Sequence, residues 1–151
     1  MFVCHGNICR SPMAEFIFKK MIAEKNMSDL FFVSSSATST EEIWGGRGNP
    51  VYPPAKEELN RHGISCDGKL AVQLKFSDYE NYDLFVCMDN RNITNAKRII
   101  GDDPEKKLKK LMDYTSRGGD VADPWYTDRF DVTYRDIFEG CEALLSELEK
   151  K

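Results

Sequence analysis

The residues Cys4-His5-Gly6-Asn7-Ile8-Cys9-Arg10-Ser11 carry the densest chemistry in the chain. A thiol and a guanidinium enclose five residues, and a hydroxyl follows at once. Apolar Met1-Phe2-Val3 leads in and reads as the end of a buried strand. Ser11-Pro12 leads out, with Ser expected as a helix cap and Pro in the first turn. Strand, tight loop and helix start form a phosphate-binding layout. The loop N–H groups converge on one anion, and the helix N-terminus adds partial positive charge. Gly6 and Asn7 permit the tight backbone turns this requires. Arg10 would grip two phosphate oxygens bidentately. Cys4 would lie beneath the anion, in a field that favours thiolate over thiol. A purely structural loop also fits the bare spacing. The apolar run before Cys4 and the helical pattern after Ser11 favour the chemical reading.

A phosphate monoester dianion repels nucleophiles, so the loop dipoles and Arg10 must neutralise it first, which needs no metal or other cofactor. The Cys4 thiolate then attacks phosphorus to give a thiophosphate ester. The leaving oxygen needs a proton, and water needs a base in the second step. Asp123 is the candidate for both duties. Pro124 biases it to an extended conformation, although Asp-Pro equally marks an ordinary turn. Trp44, Trp125 and Tyr126 lie on loops and could wall a slot for an aromatic ring, or simply anchor those loops. Cys9 reads first as a packed thiol. Cys4, His5, Cys9 and His62 have the wrong spacing for zinc.

The elements that must position these groups follow in order. Ala14, Ile17, Phe18, Met21 and Ile22 recur at helical offsets, so a helix runs from Ser11 to about Lys25. Leu30–Val33 reads as a strand that delivers Ser34, Ser35 and Ser36 at its C-terminal end. Residues 38–54 read as loop, and residues 55–61 as a helix stopped by His62-Gly63. Tyr82–Met88 is an apolar strand buried on both faces, and Asn90–Ile100 a helix. A short strand is expected near 109–112, a long loop over 114–129, and a last helix through Tyr134, Ile137, Phe138, Cys141, Leu144, Leu145 and Leu148. Strands alternating with helices predict one α/β domain with a parallel sheet. Ligands then bind beyond the carboxyl ends of the strands, which gathers Cys4, the three serines and Asp89 on one rim.

The 151 residues are enough for one domain with a real core. Hydrophobic residues at 41% and charged residues at 30% indicate a globular chain. A net charge of −4 argues against nucleic acid as partner. The sequence offers no membrane span and no leader ahead of its five cysteines, so free thiols in a cytoplasmic setting are expected.

Phe2 to Glu15 resembles the signature of the low-molecular-weight protein tyrosine phosphatases. The likeness continues through Ser35-Ser-Ala-Thr38, Arg61-His-Gly-Ile64, Cys87-Met-Asp89 and Asp123-Pro-Trp-Tyr126. It implies a four-stranded parallel sheet with helices on both faces. It also implies hydrolysis of phosphotyrosine in proteins through a cysteinyl phosphate, with inorganic phosphate or similar oxyanions as product or inhibitor. The resemblance makes Asp123 the general acid, Asn7 and Ser35 braces of the loop, and Ser11 a hydrogen-bond partner of the nucleophilic sulfur. It implies a reversible disulfide between Cys9 and Cys4. Ile8 points to tyrosine, because related arginine phosphatases commonly carry Thr there. Departures are visible too. A His expected after the His-Gly-Ile turn is missing, with Lys69 near its place. Glu41 stands where an aromatic is common, and Trp44–Arg47 looks inserted.

Alternatives share the loop. A thiol-dependent arsenate reductase would need a resolving cysteine pair after the third strand, where only Cys87 lies. A protein arginine phosphatase is a further alternative. A phosphotyrosine-binding module without turnover would have no use for both Cys4 and Asp123.

Overall fold

The computed structural model describes residues 1–151. In chain order the elements are β1 (Phe2–Cys4), α1 (Arg10–Glu24), β2 (Ser35–Ala37), a hairpin of β3 (Ile43–Trp44) and β4 (Arg47–Gly48), α2 (Pro53–Arg61), the one-turn α3 (Asp78–Asn81), β5 (Phe85–Cys87), α4 (Asn90–Ile100), β6 (Leu108–Lys110), the one-turn α5 (Pro124–Thr127) and α6 (Phe130–Glu149). The main sheet has the order β2-β1-β5-β6, and every pairing in it is parallel. This is the α/β architecture expected from alternating strands and helices.

Side-chain alternation divides the core at the sheet. Phe2, Cys4, Val86 and Met88 join the larger cluster with Met13, Ile17 and Phe18 of α1 and Ile137, Cys141 and Leu144 of α6. Val3, Phe85 and Cys87 face the other way, onto Ala96 and Ile100 of α4. β1 is therefore buried on both faces, as a central parallel strand must be.

Two expectations about elements need correction. The second strand is Ser35–Ala37, not Leu30–Val33. The register sets Phe2 opposite Ser35 and Cys4 opposite Ala37, so the apolar run lies before the first rung of β1. A 3-10 turn takes Ser28–Leu30; Phe31 and Val33 pack on the core, while Leu30 and Phe32 stay exposed. Ser35 and Ser36 thus lie in the strand instead of following it. Ser11 also does not cap α1. The helix begins at Arg10 and has no side-chain cap, because the Ser11 hydroxyl is engaged by the loop. Residues 69–75, which show no clear pattern in sequence, run past the end of β2, where Ala37 N–H donates to Val72 O and Leu74 N–H to Ala37 O.

Candidate active site

The ends of β1 and β5 open into one cleft of about 640 Å³, a size suited to a small organic group. The whole run Cys4 to Arg10 lines it. Around that loop stand Glu41 and Glu42, the start of α4 with Asp89 and Arg91, Asp120, Asp123, Trp125 and Tyr126. Cys4 is at the floor, only 4% exposed.

The loop is held from inside. Asn7 has a left-handed backbone, φ 58°, which Asn tolerates better than most residues. Its side chain is fully employed. Val72 N–H donates to Oδ1 at 3.0 Å, and Nδ2 donates to Ser35 Oγ at 2.9 Å and to Ser11 Oγ at 2.7 Å. The Ser11 oxygen is 3.0 Å from Cys4 Sγ, and Asn7 N–H donates to the same sulfur at 3.3 Å. Ser11 already accepts from Asn7, so its own hydrogen is available to a Cys4 thiolate. Two donors then face the Cys4 sulfur.

Behind Ser35 lies Glu15, buried at 5% exposure. Ser35 Oγ donates to Glu15 Oε1 at 2.6 Å. Lys69 Nζ donates to Ser35 O at 3.1 Å and stands 3.5 Å from the same Glu15 oxygen. Lys19 holds the other oxygen at 2.6 Å. Burial lowers the pKa of the Lys69 ammonium, and Glu15 opposes that. Lys69 therefore reaches Ser35 and Glu15 and leaves Asn7 to Val72.

Arg10 is buried and aimed by carboxylates. Its Nη1 donates to Asp89 Oδ2 at 2.8 Å and to Val121 O at 3.3 Å, and its Nη2 to Asp123 Oδ2 at 3.4 Å. Burial alone would lower its pKa, but Cys4, Asp123 and Asp89 together hold it above the usual arginine value. The other oxygen of Asp89 accepts from Asn92 N–H at 2.8 Å and caps α4. One carboxylate thus ties the guanidinium to a helix end. Asp123 caps α5 by accepting from Trp125 N–H at 3.0 Å. Its carboxyl reaches the cleft beside Arg10 and is about one-third exposed.

Of the sequence candidates, Cys4, His5, Gly6, Asn7, Ile8, Cys9, Arg10, Asp123, Trp125 and Tyr126 line the cleft. Ser11 and Ser35 stand behind it. Trp125 rests against Tyr52 at 5.8 Å between ring centroids. Trp44 does not line the cleft. The hairpin closes through Gly45 and Gly46, both at positive φ, and leaves Trp44 75% exposed. Its base cannot shift freely, because Gly48 lies directly on the Ala71 backbone with no room for a Cβ. Glu41, with its carboxylate 3.0 Å from His5 Nε2, and Glu42 occupy the rim there. Cys9 is half-buried, and its thiol is pushed up to about 12, first by burial and then by Cys4. All five cysteines are free. His62 is engaged elsewhere, stacked on Tyr134 and bonded to Glu58. No helix is long and apolar enough to cross a membrane.

Sequence reasoning passed over Glu15 and Asp89 in these roles. Both stood inside quoted motifs, but their partners Ser35 and Arg10 are 20 and 79 residues away. A buried acid at helical spacing in an apolar stripe was the available signal for Glu15.

The family model for low molecular weight phosphotyrosine protein phosphatase matches residues 1–151. The low molecular weight protein-tyrosine-phosphatase YfkJ of Bacillus subtilis is 38% identical over 153 residues, covering 100% of this chain and 96% of that protein. The crystal structure of YfkJ superposes with a TM-score of 0.89, covering 99% of this chain and 92% of that one. The low molecular weight protein tyrosine phosphatase SP-PTP from Streptococcus pyogenes superposes at 0.84 with 36% identity, covering 97% and 90%. A drosophila arginine phosphatase superposes at 0.85 with 26% identity, covering 97% and 95%.

Proposed function

The chain belongs to the low molecular weight phosphotyrosine protein phosphatase family, and from that premise we propose that it hydrolyses phosphotyrosine in proteins, and small aryl phosphates, through a cysteinyl phosphate on Cys4. The observation that carries this is the floor of the cleft. There the Cys4 sulfur faces two hydrogen-bond donors, inside a loop whose buried Arg10 is held by Asp89.

The phosphate dianion lies in the loop against its N–H groups and the Arg10 fork, which gather the charge that builds up in the transition state. Cys4 attacks phosphorus, the P–O bond to the phenol breaks, and Asp123 gives its proton to the leaving oxygen. In the second step the ionised Asp123 takes a proton from water, water attacks phosphorus, and the thiolate leaves. The Ser11 hydroxyl steadies the sulfur in both steps. Trp125 and Tyr126 form the aromatic wall against the phenyl ring. Ile8 supports tyrosine over arginine as the phosphate carrier. Phosphate and similar oxyanions then act as product or inhibitor. Cys9 protects Cys4: when peroxide has converted the Cys4 thiol to a sulfenic acid, the Cys9 thiol condenses with it, forming the S–S bond and releasing water. Free thiols throughout suit a reducing cytoplasm.

Steady-state hydrolysis of phosphotyrosine, phosphoserine and phosphoarginine peptides, side by side, tests the reading. Phosphotyrosine should be turned over best. A preference for phosphoarginine would move the assignment to arginine phosphatase. In Cys4→Ser, turnover should vanish while phosphate affinity remains, and turnover above the solvent background would remove Cys4 from its role.

A further inference from the structure

The Glu15–Lys69 pair lies outside the cleft, yet it meets both groups that hold Asn7. The Asn7 amide is gripped at one end by Val72 N–H and at the other by Ser35 Oγ. Ser35 belongs to β2, and Val72 to the extended segment beside it, three residues after Lys69. Glu15 binds the Ser35 hydroxyl; Lys69 binds the Ser35 carbonyl and begins the segment that ends in Val72. We propose that the buried Glu15–Lys69 ion pair is a positioning unit for the nucleophile, clamping the two supports of Asn7 together and thereby aiming the Ser11 hydroxyl at Cys4.

The direction of every hydrogen bond supports this. A carboxylate flanked by Lys19 and Lys69 accepts only, so Ser35 must donate to it. The Ser35 oxygen is then left as an acceptor for Asn7 Nδ2. Val72 N–H holds Asn7 Oδ1 on the far side, so the amide cannot turn over. The second hydrogen of Nδ2 goes to Ser11, whose own hydrogen is left for the sulfur. Donation therefore runs outward from the Asn7 amide, through Ser35 to the carboxylate on one side and through Ser11 to the sulfur on the other, and chained bonds of this kind strengthen one another. Nothing in it needs a titratable imidazole.

The unit rests on Cys4 being the nucleophile, as proposed above, but its test does not need phosphotyrosine. The decisive variant is Glu15→Met with Lys69→Met. Replacing both members by apolar groups of similar length leaves no buried charge unpaired, so stability should be kept or raised. A merely structural pair would then leave the chemistry untouched. A positioning pair would not: alkylation of Cys4 by iodoacetate, and kcat for 4-nitrophenyl phosphate, should each fall ~10-fold, the scale of one charge-assisted hydrogen bond. Inhibition by inorganic phosphate should stay within ~3-fold, because the loop N–H groups and Arg10 remain. Glu15→Gln keeps an acceptor oxygen for Ser35 and should rescue both rates to within ~3-fold of the parent. A folded double variant with parental alkylation rate and kcat overturns the proposal, and so does a Gln variant as slow as the Met pair. If the double variant does not fold, Ser35→Ala cuts the same chain at its middle. It should show the same two losses, and parental alkylation in it is an equally direct refutation. Failure to cleave phosphotyrosine with the alkylation pattern intact would instead count against the proposed substrate alone.

Discussion

Asp123→Asn separates the proposed acid from everything else at the site. The substitution is isosteric, and the Asn oxygen can still accept from Trp125 N–H, so the cap of α5 survives. What is lost to stability is the 3.4 Å contact with Arg10, made by a carboxyl that is one-third exposed. Such a pair contributes at most about 1 kcal/mol. In a chain of this size that is a change of about 2–4 °C in Tm. Arg10 keeps Asp89 at 2.8 Å and therefore keeps its aim. The kinetic loss should be of another order. A positioned general acid contributes ~10²–10⁴ in rate, or about 3–5 kcal/mol of barrier. That loss should appear in full with phosphotyrosine, whose phenol is a poor leaving group. It should shrink towards unity as the phenol becomes acidic enough to leave unassisted. The assay is the burst phase of phosphoenzyme formation on a series of aryl phosphates of graded phenol acidity. A much steeper leaving-group dependence is expected for the variant. Parallel dependences for variant and parent would refute the assignment, and Asp89 or Asp128 would have to be tested next.

The remaining expectations concern the loop. Arg10→Lys keeps the charge but loses the planar fork that bonds two phosphate oxygens while held by Asp89; kcat/KM should fall at least ~10²-fold, and near-normal kinetics would make Arg10 structural. Asn7→Gly should cost about 3 kcal/mol in urea unfolding, through the unpaired Val72 N–H and the lost bonds to Ser11 and Ser35. Asn7→Ala should cost a further ~1 kcal/mol, because only the alanine resists φ 58°; equal stabilities would show that the backbone there is unstrained. Mild peroxide should inactivate the enzyme and a thiol reductant restore it, with poorer recovery in Cys9→Ser; equal recovery would return Cys9 to a packing role.

Residues adjacent in sequence were the legible part. The loop from Cys4 to Ser11 is local, so its chemistry can be read without a fold. The long periodic stripe of α6 is equally plain, because its seven named positions agree with one another. The apolar run Leu30–Val33 places β2 too early, because such a run is evidence of burial, not of pairing. The strand's register depends on where β1 lies, and that is set across the sheet. Trp44 stays open in sequence for a related reason: an aromatic on a loop near a cleft can point either way, and the Gly45-Gly46 turn decides it. The partners of Arg10 and Ser35 depend on how β5 and α1 pack against β1, and no spacing encodes that.

The strands of the main sheet are only three residues long, or about 10 Å end to end. In a longer sheet, several rungs would separate the catalytic rim from the opposite edge and absorb a disturbance made there. Here Val86 N–H bonds to Met1 O and Phe2 N–H to Ser34 O, and the next residues along β1 are Val3 and the nucleophile. The sheet has no slack. A side chain that pries β1 from β5 at Phe2 moves the sulfur with it. Random mutagenesis scored for activity should therefore find inactivating changes at the bottom of the sheet as readily as at the rim, and stabilising changes at Phe2 or Val86 should rarely come without a kinetic effect.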